Sequence, residues 1–186
     1  MIKINDIVTG KLSMTLNGSA YLVNDDLPKD IYISQKSTNK GLHMDTVKVR
    51  VTKVKGRGPE GEVIEITERF KTRFVGTLDV SDKYAFLIPD SNKMSTDLFI
   101  PLSELNGGLN GQKAVAEMTN WKDGQKNPKG KIIEVLGNKG DNDTEIHSIL
   151  EEHSLPYRFE QSVLDEADSI PSEITQEEIG KRRDMR

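Results

Sequence analysis

The hydrophobic positions of residues 1–137 fall in short runs that alternate with polar ones, and Gly, Asn, Asp and Pro separate the runs. Val, Ile, Tyr and Phe dominate these runs, the composition of strands that lie on a half-buried pleated surface. The pattern predicts strands near 8–16, 19–24, 30–34, 45–55 and 60–67, then near 73–80, 83–88, 96–101, 112–121 and 129–136. In YAFLI (84–88), Tyr84, Phe86 and Ile88 point to one side of an extended strand, and Ala85 and Leu87 to the other. Leu98 and Ile100 share one face, with Phe99 alone on the opposite one. Parity therefore assigns Ala85, Leu87, Leu98 and Ile100 to a core and leaves Tyr84, Phe86 and Phe99 outside it. TVKVRVTKVK (46–55) alternates Val47, Val49 and Val51 with Lys48 and Arg50, then slips so that Lys53 and Lys55 flank Val54. A β-bulge near Thr52 reconciles the slip.

The runs repeat. Gly10 matches Gly76, AYLV (20–23) matches AFLI (85–88), and DIYI (30–33) matches DLFI (97–100). GL (41–42) then matches GL (108–109), and PEGEVIEI (59–66) matches PKGKIIEV (128–135). The chain thus holds two copies of one unit of about 65 to 70 residues, not a solenoid of short repeats. Five short strands in so small a unit need closure to remove their edges, and a five-stranded barrel supplies it. Beyond Gly137 the spacing turns helical. DTEIHSILEEH (143–153), FEQSVLDEAD (159–168) and TQEEIGKRR (175–183) read as three short helices. Asn142 with Glu145, and Thr175 with Glu178, have capping-box spacing. The expected fold is all-β dominated: two tandem five-stranded OB-fold barrels, over 1–69 and 70–137, followed by a short α-helical tail over 138–186.

Composition narrows the setting. The 186 residues include no Cys, which excludes disulfides and Cys-based metal sites. The opening MIKIND is too polar for a signal peptide, and no apolar run approaches the length of a membrane span. A cytoplasmic protein with no membrane partner is expected. The net charge of −4 hides an asymmetry. Residues 1–69 carry 11 basic against 9 acidic side chains, residues 70–137 carry 9 against 8, and residues 138–186 carry 6 against 13. A polyanionic partner would meet the first two thirds.

Outward aromatics beside lysines form a stacking platform for unpaired bases, each stacked base contributing about 1–3 kcal/mol. In the second copy the platform comprises Tyr84, Phe86 and Phe99, with Lys83 and Lys93 as candidate phosphate contacts. The first copy offers Tyr21 and Tyr32, with Ser19 in place of Tyr84, and a basic stripe of Lys48, Arg50, Lys53, Lys55 and Arg57. The alternative is that the rings bury against the twin barrel, and the residues alone weigh the two readings about evenly. No catalytic site is expected. Asp165, Glu166 and Asp168 fan round a helix, and DNDTE (141–145) lacks the later ligands of a calcium loop. His43, His147 and His153 read as surface histidines, NGGLNG (106–111) as a loop and Trp121 as a residue at a barrel edge.

The motifs carry a family resemblance. KYAFLI followed by DLFI, and GSAYLV followed by DIYI, resemble the two nucleic-acid-binding motifs of cold-shock domains. Ala85 stands where that pattern has Gly, and Pro101 where it has His; the first copy lacks the Lys and one aromatic. The whole arrangement, with GKIIEVLG, EEHSLPYRF and RRDMR, resembles the N-terminal half of the ribonuclease R branch of the RNase II superfamily. The resemblance implies a metal-dependent 3′-to-5′ exoribonuclease whose Mg2+-binding aspartates lie beyond Arg186, in an RNB domain followed by an S1 barrel. This chain would need no cofactor itself. It would hold single-stranded RNA and guide it to that catalytic domain. The rivals are a free-standing tandem cold-shock RNA chaperone and barrels that serve inter-domain packing.

Overall fold

A computed structural model describes residues 2–56, 58–170, 174 and 176–181 of the chain. Ten strands form two closed barrels of like topology. The first comprises β1 (Ile7–Met14), β2 (Ala20–Val23), β3 (Ile31–Ile33), β4 (Thr46–Lys55) and β5 (Gly58–Glu68), in the order β1-β2-β3-β5-β4. The second comprises β6 (Arg73–Val80), β7 (Ala85–Pro89), β8 (Leu98–Ile100), β9 (Gln112–Asn120) and β10 (Lys129–Asn138). Its order round the barrel, β6-β7-β8-β10-β9, repeats the first. Only the third and fifth strands of each barrel run parallel.

The predicted parity holds in both copies. Ala20, Leu22, Ile31 and Ile33 are buried in the first barrel, as are Ala85, Leu87, Leu98 and Ile100 in the second. Tyr21 and Tyr32 alternate outward, like Tyr84, Phe86 and Phe99. In β4 the register skips at Thr52: Val51 pairs with Gly61 and Lys53 with Glu60. Two further shifts interrupt the same ladder, as the tight curvature of a small barrel requires. The repeated Gly10 and Gly76 mark a close approach of neighbouring strands. A Cβ there would stand 2.6 Å from the Val23 carbonyl oxygen or 2.2 Å from that of Ile88.

Polar contacts link the barrels. Asp45 is buried, and its carboxylate accepts from the amides of Leu42 (2.8 Å) and Phe70 (3.1 Å) and from Arg69. Arg69 Nη1 also donates to the Lys40 carbonyl at 2.9 Å. One carboxylate thus ties the turn before β4 to the segment joining the barrels. Leu42 itself joins the second barrel's core cluster. Lys40 reaches the Trp121 carbonyl at 3.2 Å and pairs with Asp123.

The tail forms α1 (Asn142–Glu152), α2 (Gln161–Ser169) and α3 (Gln176–Lys181). Helix α1 packs on β6, β9 and β10, burying Thr144 and Ser148, and Lys71 pairs with Glu152 at 3.0 Å. Tyr157 closes this end: its hydroxyl donates to Glu134 at 3.0 Å, and His147 lies 5.0 Å from its ring. Helix α2 buries no residue. The cap of α1 differs from expectation. Asn142 is the first helical residue, and Asp141 is the N-cap. Glu145 reaches back to accept the Gly140 amide at 2.9 Å, because the turn at Gly140 brings that amide, rather than that of residue 142, over the helix start. Thr175 of the other expected capping box lies outside the described residues, as do Arg57 and the side chain of Lys55.

Candidate nucleic-acid interface

Strand alternation and register build the site on the second barrel. Phe86 on β7 and Phe99 on β8 are direct cross-strand neighbours, and Tyr84 precedes Phe86 by two positions on the same face. The rings meet edge to face: Tyr84 to Phe86 at 5.6 Å and 68°, Phe86 to Phe99 at 5.7 Å and 69°. Tyr84 is 49% exposed. Beside Phe86 and Phe99 opens a groove of about 330 Å3, walled by Gln125, Lys126, Asn127 and Lys129. Its place follows from the parallel pairing of β8 with β10, which sets Lys129 next to Phe99. Among the described residues, Lys83, Lys126 and Lys129 form no ion pair. Three cations without carboxylate partners therefore flank a set of half-exposed rings.

The first barrel presents the same scaffold with different charges. Tyr21 and Tyr32 are cross-strand neighbours, 5.6 Å apart at 62°. The neighbour of Tyr32 on β5, however, is Glu60, where the second barrel has Lys129. Glu60 is paired with Lys53 at 2.9 Å. The described side chains of the expected basic stripe are neutralised in the same way: Lys48 pairs with Glu65 at 2.8 Å and Arg50 with Glu62 at 3.3 Å, each directly across the β4–β5 ladder.

Lys93, a candidate phosphate contact, meets a side chain of the first barrel. Its Nζ lies 3.0 Å from Nε2 of His43, across the junction between the barrels. The loop after β7 turns that way because Met94 packs against the second core. His43 is accordingly a half-buried junction residue rather than an ordinary surface histidine. Its Nδ1 accepts the Met14 amide at 3.2 Å, and burial, then the Lys93 charge, lowers its pKa. Trp121 packs at the edge of the second core, as expected, with its Nε1–H donating to the Gln125 carbonyl at 3.1 Å.

Comparison with known proteins shows what these barrels resemble. Residues 10–66 match the ribonuclease B OB domain, and residues 86–160 match the cold shock domain. Ribonuclease R of Thermotoga maritima is 29% identical over 97% of this chain, which corresponds to 26% of that relative. Over nearly its whole length the chain is similar to part of ribonuclease R. Among solved structures, ribonuclease R of Mycoplasma genitalium, in complex with ribose-methylated single-stranded RNA, superposes with a TM-score of 0.74. It is 18% identical, over 94% of this chain and 28% of that one. A yeast pseudonuclease superposes with a TM-score of 0.73 at 21% identity, over 95% of this chain and 29% of that one. The chain thus spans about a quarter of the length of its ribonuclease R relative.

Two points follow for these barrels. The magnesium implied by the resemblance finds no fitting ligands here, because among the described residues no three His, Asp or Glu side chains converge to hold a metal. Among those residues, too, no helix is long and apolar enough to cross a membrane. Sequence reasoning missed Lys126 and Lys129. The repeat carried a signal for the second: aligning PEGEVIEI with PKGKIIEV sets Lys129 opposite Glu60, a reversal of charge within a shared scaffold.

Proposed function

We propose that the chain is the RNA-holding part of a ribonuclease R-type 3′-to-5′ exoribonuclease. In this reading it binds single-stranded RNA chiefly on Tyr84, Phe86 and Phe99 of the second barrel and feeds it to a catalytic domain elsewhere in a longer protein. One observation carries the proposal: half-exposed rings in edge-to-face contact border a groove whose lysines lack carboxylate partners. Aromatic faces accept any base, and cations without partners supply phosphate contacts. The RNA present in the Mycoplasma genitalium relative supports the assignment of ligand class. Burial of the rings against the twin barrel is disfavoured by the exposure of Tyr84 and by a junction built instead from Leu42, His43 and Lys40.

The test is fluorescence anisotropy of a labelled, mixed-sequence single-stranded RNA with the full chain. Phe86→Ala with Phe99→Ala removes stacking for about two bases and weakens binding at least tenfold. Tyr21→Ala with Tyr32→Ala weakens it less, because Glu60 adjoins those rings. Equal losses from the two double variants would overturn the ranking, and no loss from the first would overturn the site.

A further inference from the structure

The platform of the second barrel has two unlike flanks. One row of cross-strand neighbours runs Asn120, Lys129, Phe99, Phe86 and Asp79 across all five strands. The ring pair therefore has a cation on one side and a carboxylate on the other. Directly opposed residues stand about 5 Å apart at Cβ, so the Asp79 side chain reaches the edge of a base stacked on Phe86. Asp79 is exposed, and among the described residues it forms no ion pair. A carboxylate beside a polyanion site weakens binding of every strand through repulsion. What it offers in return is a hydrogen bond from a base amino group, because an ionised carboxylate is an acceptor only.

The groove wall adds a second acceptor. The Asn127 side-chain amide donates to the Asp97 carbonyl at 3.0 Å and to Thr96 Oγ1 at 3.4 Å. Both amide hydrogens are thereby used, and Oδ1 is what Asn127 has left to present. Gln125 accepts the Lys122 amide at 2.9 Å through Oε1, which leaves its NH2 group. That donor meets a carbonyl or ring nitrogen on any base and does not discriminate.

We propose that the platform reads the base it stacks, taking bases with an exocyclic amino group ahead of uracil, with Asp79 and Asn127 as the acceptors. The inference rests on the RNA-binding reading of the same rings. Cytosine and uracil make the decisive pair. Their stacking faces are alike, and at C4 cytosine carries an amino donor where uracil carries a carbonyl acceptor. A uracil whose C4 carbonyl faces Asp79 sets acceptor against acceptor. The first barrel lacks this filter, since Ser13, which can donate or accept, holds the position of Asp79.

Anisotropy titrations of the full chain with labelled oligocytidylate and oligouridylate of one length, at neutral pH and fixed salt, test the proposal. One charge-assisted hydrogen bond gained or lost at a partly solvated site gives about a tenfold preference for oligocytidylate. Asp79→Asn adds a donor at an exposed position, and the preference falls to within about twofold, mainly because oligouridylate binds more tightly. Equal affinity for the two oligomers, or a preference that survives Asp79→Asn, overturns the proposal. Binding of neither oligomer overturns the RNA-binding reading, and this inference with it.

Discussion

Only cations without carboxylate partners should register in the salt dependence of RNA binding. A lysine already paired to Glu must break that pair to reach a phosphate, and it leaves a carboxylate facing the phosphate when it does. Lys48, Arg50 and Lys53 are in that position, directly across from Glu65, Glu62 and Glu60. Lys83, Lys126 and Lys129 are not. Three phosphate contacts on a single strand give log Kobs against log salt a slope of about −2, so affinity falls about twentyfold between about 50 and 200 mM salt. Lys126→Ala with Lys129→Ala leaves one contact, a slope of about −0.7 and a fall of about threefold over the same range. Lys48→Gln with Glu65→Gln removes an ion pair at constant net charge and leaves the slope unchanged. Anisotropy titrations at four or more salt concentrations measure all three proteins. If the Lys48/Glu65 variant flattens the slope as much as the Lys126/Lys129 variant does, the assignment of phosphate contacts to the second barrel is refuted.

Two further predictions concern the frame that presents the site. Asp45→Ala takes the carboxylate from Arg69, from the buried Leu42 amide and from the half-buried Phe70 amide, which costs about 3–5 kcal/mol; urea denaturation reads it, and a loss below about 1 kcal/mol would contradict the clamp. Burial first, then its bond to Glu134, raises the Tyr157 phenol from 10.0 to about 12. A raised pKa means that the folded form holds the proton more tightly. The stabilisation is therefore complete below about pH 10 and is lost as pH climbs towards 12. Tyrosinate absorbance should show a late-titrating phase, and Tyr157→Phe should abolish it.

Local alternation was legible because it depends only on neighbours in the chain. Ala85, Leu87, Leu98 and Ile100 had to share a face, and the slip at Lys53 had to mark an extra residue, whatever the strands paired with. The repeat then doubled each observation and made closure the economical solution. Charge pairing was not legible in this way. Whether Lys48 faces solvent alone or meets Glu65 depends on the register of β4 against β5 after three shifts, which no pattern within either strand encodes. Lys129 reaches Phe99 only through a parallel pairing of strands about 30 residues apart, and Lys93 meets His43 because a loop folds towards the other barrel. The cap of α1 was misread by one residue for a similar reason: the positive φ of Gly140 brings its amide over the helix start.

The two barrels thus separate scaffold from chemistry. Both hold a pair of outward rings at the same register, at nearly the same distance and tilt. A ring pair alone does not make a polyanion site, because stacking must be accompanied by charge that is free to answer phosphates. In the first barrel the row beside the rings runs Lys53, Glu60, and the ion pair satisfies itself. In the second the same two positions hold Asn120 and Lys129. Asn120 offers no carboxylate, so the ammonium of Lys129 is left to face the groove. Exchanging an acid for a base at one position, and a base for an amide at its neighbour, is enough to turn a closed surface into an open one without moving a strand.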